Sequence, residues 1–228
     1  MKKIFISGAS RGIGLAIARI FYEAGFQTII CSRSKEKLAE AKAEMPDLHT
    51  FVCDVADREA VKQLADCLNQ QFGALDILVN NAGIFEPGNI HQSSDDLFER
   101  IMQTNLNSAY YLTKALLPFM MKSKQGTIFN ICSIASIQPY VNSGIYCISK
   151  YALLGFAKVL REEMKAYNIR VINLLPGAVK TDSWEGIDLP ESRFMPPEDI
   201  AKVVFDAYHL SERTVLEEIV LRPFLGDI

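Results

Sequence analysis

Tyr146 and Lys150 stand four residues apart in a stretch that reads as helix, so their side chains share a face. Free tyrosine loses its proton near pH 10, too high for a ready base at neutrality, and a neighbouring ammonium favours the phenolate. Such a pair can give a proton to, or take one from, an oxygen passing between carbonyl and alcohol. Ser133 precedes Tyr146 by thirteen residues and ends a strand pattern, where its hydroxyl could hold the same oxygen. Asn105 falls mid-helix, an unfavourable place for asparagine without a partner or a role. Taken alone, Tyr-x3-Lys is a common coincidence and is usually structural.

A second cluster is suited to phosphate. The first strand pattern runs into Ser7-Gly8-Ala9-Ser10-Arg11-Gly12-Ile13-Gly14 and straight on into a helix pattern. Glycine permits the tight turn and a close backbone approach, and a helix N-terminus offers free N–H groups with a positive dipole end. A glycine cluster by itself is only a turn; its place between first strand and first helix points to a dinucleotide. The second strand ends at Ser32-Arg33, where an acidic residue would suit a ribose 2′-hydroxyl. Arg33, with Arg11 in the glycine turn, instead suits a 2′-phosphate held by charge-assisted bonds, and so NADP(H). The plain alternative is two solvated arginines. Asp54-Val55 and Asn80-Asn81-Ala82-Gly83 close the third and fourth strands, where ligands bind in open α/β sheets, although Asn, Asp and Gly also favour ordinary turns.

These residues need a scaffold, and the apolar pattern supplies one. Strands are expected at Ile4–Ser7, Thr28–Cys31, His49–Cys53, Ile77–Asn80, Thr127–Ile131, Arg170–Leu174 and Glu218–Leu221, with consecutive apolar positions as in strands buried on both faces. Helical patterns separate them. Gly12–Ala24 carries Ile13, Ile17, Ile20 and Phe21 on one face with Gly25 as its stop, and Asp57–Gln71 repeats Val61, Leu64 and Leu68. Ser94 caps a long helix expected to reach Leu117 before Pro118, and Pro197 opens a last helix over Glu198–His209. Alternating strand and helix means a doubly wound α/β fold, parallel strands with helices on both faces. Residues 1–228 read as one domain, with a loop of about 177–197 that contains the only tryptophan, Trp184.

Composition excludes several classes. With 228 residues, 49% apolar and 22% charged, the chain is an ordinary globular one. Twenty-four basic against 27 acidic residues leave a net charge of −3, no excess to hold a nucleic-acid backbone. The apolar stretch Leu116–Met121, flanked by Lys114 and Lys122, falls far short of the roughly 20 residues of a membrane span. Lys2-Lys3 precede too short an apolar run for an export signal. Five cysteines without a CxxC pair argue against a disulfide framework or metal site and for a reducing, cytoplasmic setting. Cys132 and Cys147, next to Ser133 and Tyr146, read as packing residues.

Taken in order, the glycine turn, Asp54, Asn80-Asn81-Ala82-Gly83, Asn105, Ser133, Tyr146-x3-Lys150 and Pro176-Gly177-x3-Thr181 resemble the single-domain short-chain dehydrogenases/reductases from Ile4 to Thr181. The resemblance implies a Rossmann fold with a seven-stranded sheet in the order 3-2-1-4-5-6-7, and hydride transfer to or from a nicotinamide. It implies Tyr146 as general acid or base, Ser133 as the group that polarises the carbonyl, Lys150 on the nicotinamide ribose, and Asn105 holding a water that links Lys150 to solvent. Gly8, Ser10, Gly12, Ile13, Gly14, Val55, Ala82, Pro176, Gly177 and Val179 would line the cofactor, Asn81 and Gly83 its adenine-ribose side, Asp54 would meet the adenine, and Thr181 the nicotinamide carboxamide. It also implies a homodimer or homotetramer, with the helix Tyr146–Tyr167 in the dimer contact. The chain departs from the pattern in Ser7, where threonine is usual. Its tail Glu217–Ile228 lacks the usual Asp-Gly-Gly and reads Leu221-Arg222-Pro223-Phe224-Leu225-Gly226-Asp227-Ile228 instead, which puts the subunit contact at the last strand in question.

Substrate signals are thin. Tyr140 and Trp184 are the substrate-wall candidates, Trp184 because it follows Thr181 by three residues, with Phe85, Phe194, Ile134 and Val141 as further apolar candidates. Lys180 and Arg193 lie in the same loop, but neither is obviously placed for a substrate carboxylate, and the short loop after Thr181 suggests an open cleft. The expected activity is NADP(H)-dependent reduction of a ketone or aldehyde. A 3-oxoacyl thioester reductase and a sepiapterin- or diketone-type reductase are alternatives. A non-catalytic NADP(H)-sensing regulator is the alternative of another class, since fold does not fix function, but such a chain has no reason to keep all four catalytic residues.

Overall fold

The computed structural model describes residues 1–184, 186 and 188–228; the two remaining positions fall inside the loop expected over 177–197 and lie outside the described residues. Seven parallel strands form the sheet: β1 (Lys3–Ser7), β2 (Gln27–Ser32), β3 (His49–Val52), β4 (Ile77–Asn80), β5 (Gly126–Ile131), β6 (Ile169–Pro176) and β7 (Glu218–Leu221). Their order is β3-β2-β1-β4-β5-β6-β7, as expected. The chain reverses its winding between β1 and β4, and the carboxyl ends of these strands open the crevice where ligands bind in such sheets.

Helices α1 (Gly12–Glu23), α2 (Lys35–Glu44) and α7 (Pro197–Tyr208) cover one face; α3 (Arg58–Phe72), α5 (Ser108–Ser123) and α6 (Gly144–Met164) cover the other, with α4 (Asp95–Met102) leading into α5. The alternation of side chains along a strand sorts the core. Ile4 and Ile6 pack with Ile17, Phe21 and Val204, while Phe5 packs on the opposite face with Leu64, Leu116 and Leu160. Gly25 follows α1 with φ +79° and donates to the Tyr22 carbonyl, the stop its position suggested.

Two expectations fail in one segment. The helix from Ser94 to Leu117 is not continuous: Gln103–Asn107 forms a π-helical turn between α4 and α5. Nor does it stop before Pro118, because α5 continues to Ser123 with the proline inside. An interior proline costs about 3 kcal/mol. Leu112, Leu116 and Met120 carry the buried stripe of α5 past it, and that packing outweighs the lost hydrogen bond.

A buried polar ladder crosses the sheet centre. The Asn80 amide donates to Asn130 Oδ1 at 2.9 Å and the Asn130 amide to Asn173 Oδ1 at 3.0 Å, on three adjacent strands. A one-residue slip of any of these strands would strand a buried amide, so the ladder fixes register beneath the site.

Candidate active site

The glycine turn is held by its neighbours as much as shaped for a ligand. Gly8 and Gly12 adopt positive φ, +63° and +55°. A Cβ on Gly8 would lie 2.8 Å from Ala82 Cα, one on Gly12 3.1 Å from Thr181 Cγ2, and one on Gly14 2.4 Å from Asn81 Nδ2. The Asn81 amide donates to the carbonyls of Ser7 and Gly8, each at 2.9 Å, and Ser7 Oγ accepts from the N–H groups of Asn81 and Ala82. Asn81 therefore braces the turn, a role its type and position alone did not show. Gly14→Ala has no room to relax and is expected to lose about 2–3 kcal/mol, measured as a Tm lower by roughly 5–10 °C in a thermal melt.

Helices α2, α3 and α4 begin with side-chain caps from Ser34, Asp57 and Ser94. Like α5, α6 and α7, α1 has no side-chain cap; it has no acid in its first turn, and its first residues Gly12 and Ile13 line a cavity of about 490 Å³. Uncapped N–H groups on a cavity wall fit a pyrophosphate. Beside them, Ser10 Oγ donates to Ser32 Oγ at 2.8 Å, tying the turn to the end of β2. Arg33 is exposed and has no ion-pair partner among the described residues. Arg11 pairs with the Asp182 carboxylate, and Lys37 Nζ lies 3.5 Å from the same oxygen. Burial pushes the Asp182 carboxyl up, but the Arg11 hydrogen bond and the charges of Arg11 and Lys37 outweigh it and hold it below the usual carboxylate range. Lys37 and Asp182 were missed by the sequence reading; one lies in the first turn of a helix not singled out there, the other 145 residues away.

The proton-transfer candidates gather at the other end. Ser133 lies two residues past β5 as the cap of a short 3-10 turn, and its Oγ accepts from the Ala135 N–H at 3.1 Å. Tyr146 and Lys150 lie one turn apart on α6. Lys150 Nζ donates to the Ile131 carbonyl at 3.0 Å and sits 5.7 Å from the Tyr146 ring centroid. Phe85 presents its ring edge-on to Tyr146, with centroids 5.0 Å apart. Asn105 lies within the π-helical turn, buried. Its side chain accepts from the Ile84 N–H at 2.8 Å and donates to the Ile84 carbonyl at 2.9 Å and to Ser149 Oγ at 3.0 Å. Single π-turns inside helices are frequent at functional sites. A Cβ on Gly83 would lie 3.3 Å from Asn105 Oδ1 and 3.5 Å from Lys150 Nζ, so Gly83 sits between those two groups and a side chain there would crowd Asn105.

Most of the candidate residues reach this cavity, including Asp54, Val55, Ala82, Pro176, Gly177, Val179 and Thr181. Gly14 and Asn105 are not among its lining; both back it from behind. Burial pushes the Cys132 thiol up to about 12, in keeping with a packing role.

At the substrate end Tyr140, Trp184, Phe85, Ile134 and Val141 line the cavity. Phe194 does not: it is buried behind Trp184, with ring centroids 5.3 Å apart. Lys180 lies over the Phe194 ring, and Arg193 donates to the Asp227 carbonyl at 3.3 Å. The cleft is also less open than the loop length suggested. After β7 the tail passes Gly177, where a Cβ would lie 3.1 Å from Pro223 Cδ, and Ile228 joins the lining. Asp227 anchors the tail, accepting from the Tyr140 hydroxyl at 2.6 Å and pairing with Arg222. Burial first, and then Asp227, pushes Tyr140 up to about 12, so it remains a proton donor to the tail at neutral pH. The Tyr140 hydroxyl therefore serves the tail while its ring faces the cavity. Nothing in the sequence pattern signals this long-range contact.

The model of the short chain dehydrogenase family matches residues 2–191. The chain belongs to this family. Short-chain dehydrogenases of known function include two that match it along most of their length. A sepiapterin reductase of Chlorobaculum tepidum is 36% identical, over 99% of this chain and 97% of its own. A 3-oxoacyl-[acyl-carrier-protein] reductase of Haemophilus influenzae is 37% identical, over 89% of this chain and 88% of its own. Among solved structures, a metagenomic short-chain oxidoreductase in complex with NADP superposes with a TM-score of 0.87 at 29% identity, covering 99% of this chain and 98% of that one. As an oxidoreductase of this family, the chain acts on small molecules; among the described residues no helix is long and apolar enough to cross a membrane.

Proposed function

We propose that residues 1–228 form one catalytic domain that uses NADPH to reduce a compact, uncharged ketone or diketone. The observation that carries this reading is one cavity with two chemistries. At one end lie an uncapped helix N-terminus and basic side chains; at the other, Ser133, Tyr146 and Lys150 converge under an apolar wall. The NADP complex of the metagenomic relative supports the cofactor.

Arg33 and Arg11 would hold the 2′-phosphate, the start of α1 the pyrophosphate, and Lys150 the nicotinamide ribose. The bound, reduced nicotinamide supplies the hydride. Ser133 Oγ, fixed by the Ala135 N–H, orients the substrate carbonyl oxygen and polarises it. Tyr146 gives its hydroxyl proton to that oxygen as charge builds there. Lys150 places a positive charge beside the Tyr146 ring. Asn105, fixed on the Ile84 backbone and set across Gly83 from Lys150, positions the route by which the proton is replaced.

The tail argues for a compact substrate over a long acyl thioester. Ile228, Tyr140 and Trp184 bound the cleft, while among the described residues Lys180 lies over the Phe194 ring and Arg193 bonds to the tail. The sepiapterin reductase relative favours the diketone-type reading within this class. Exposed Ile148, Tyr151 and Val159 follow one another at helical spacing on α6, an apolar stripe that supports a homodimer. Five unpaired cysteines support a reducing, cytoplasmic setting.

NADPH oxidation followed against diketones, simple ketones and aldehydes, acyl thioesters and pterins, with NADH alongside, tests the reading. Compact carbonyls should turn over with NADPH and little with NADH. Preference for long acyl thioesters would overturn the substrate class. Tight NADPH binding with silence across the panel would move the chain to a sensing role.

A further inference from the structure

The 2′-phosphate site reaches directly into the substrate loop. Arg11 is on the glycine turn, Lys37 is in the first turn of α2, and Asp182 opens the short 3-10 turn Asp182–Trp184; the three side chains meet at the same end of the cavity. Arg11, Arg33, Asp182 and Trp184 all line that cavity. A carboxylate on Arg11 and Lys37 occupies the position and charge role of a phosphate oxygen. The turn that carries it is short: Trp184 N–H donates back to the Thr181 carbonyl at 3.0 Å, and Thr181 packs against Gly12. A single residue, Ser183, therefore separates the carboxylate that meets the cofactor cations from the ring that walls the substrate.

We propose that Asp182 is a built-in competitor for the cofactor 2′-phosphate. In the free protein it occupies Arg11 and Lys37, and the arriving phosphate displaces it and releases the Asp182–Trp184 turn. The proposal rests on the reading of Arg11 and Arg33 as the 2′-phosphate site, and it adds Lys37 as a further cation there. A phosphomonoester carries between one and two negative charges near neutrality, against one for the carboxylate. Both anions cannot share Arg11 and Lys37 at close range without repulsion. The phosphate is anchored by the rest of the dinucleotide, whereas Asp182 is partly exposed on a three-residue turn, so the carboxylate yields. Cofactor occupancy then sets the freedom of the Trp184 wall, and by linkage a substrate that needs the wall displaced favours the phosphorylated cofactor.

The test uses the whole chain with 2′,5′-ADP and 5′-ADP as ligands, binding read by calorimetry and the wall by fluorescence of Trp184, the only tryptophan. Wild type should prefer 2′,5′-ADP, and its emission should change with 2′,5′-ADP but not with 5′-ADP. Asp182→Asn should bind 2′,5′-ADP about 5–10-fold more tightly, the scale of removing one partly screened like charge, with 5′-ADP unchanged. Its free emission should already match the phosphate-bound wild type. Lys37→Gln should weaken 2′,5′-ADP alone. Asp182→Ser serves as a second variant and must move the same way. Unchanged or weaker 2′,5′-ADP binding in both Asp182 variants would overturn the proposal and leave Asp182 as a support for Arg11. Wild type showing no preference for 2′,5′-ADP would overturn the phosphate site itself, and this proposal with it.

Discussion

Tyr146→Phe is expected to bind NADPH as tightly as the wild type and to reduce carbonyls about 10²–10⁴-fold more slowly, the usual share of a positioned general acid. The substitution removes one oxygen and leaves the ring, so its edge-on contact with Phe85 and its place one turn before Lys150 survive. No described side chain depends on the Tyr146 hydroxyl, since Ser149 bonds to the Tyr146 backbone carbonyl instead. A fall in kcat with an unchanged NADPH Kd and an unchanged Tm therefore isolates the proton transfer. Retention of most of the activity would sink the mechanism and pass the acid role to Ser133 or water.

Arg33→Asp is expected to weaken NADPH by about 10- to 100-fold, since a hydrogen bond to a charged group contributes about 1.5–3 kcal/mol and 1.4 kcal/mol is tenfold. NADH should change by less than about threefold on the same scale. Arg33 is the telling position because Arg11 and Lys37 already share Asp182, whereas Arg33 has no ion-pair partner among the described residues. Fluorescence titration with each cofactor reads both constants. Equal weakening of the two would mean that Arg33 supports the end of β2 and meets no phosphate.

The strands and the motif residues could be read in advance because both are local. Seven apolar runs gave the strand positions to within a few residues, and Tyr146, Lys150 and Ser133 came from spacing along the chain. What escaped depends on contacts between distant segments. Tyr140 meets Asp227 across 87 positions, and Arg11 meets Asp182 across 171, with no pattern along the chain to announce either. Asn105 stands out as a residue needing a partner or a role, but the π-turn that holds it, with its bonds to Ile84, has no signal along the chain. Pro118 misled for the opposite reason, since a strong local breaker was overruled by the burial of Leu116 and Met120 around it.

The three glycines of the first turn touch Ala82, Thr181 and Asn81, which belong to segments far along the chain. The isolated first strand, turn and helix would lack these braces, so the turn proposed to cradle the pyrophosphate takes shape only as the sheet closes from β1 to β6. A partly folded chain then has little dinucleotide affinity, and the ligand binds the finished fold almost exclusively. Under that condition the cofactor pool acts as a folding reagent: a free concentration one hundred times Kd adds about 2.7 kcal/mol of stability by mass action. Starved of its dinucleotide, the same chain would be cleared faster by proteolysis, and enzyme abundance would follow the supply of reducing equivalents it draws upon.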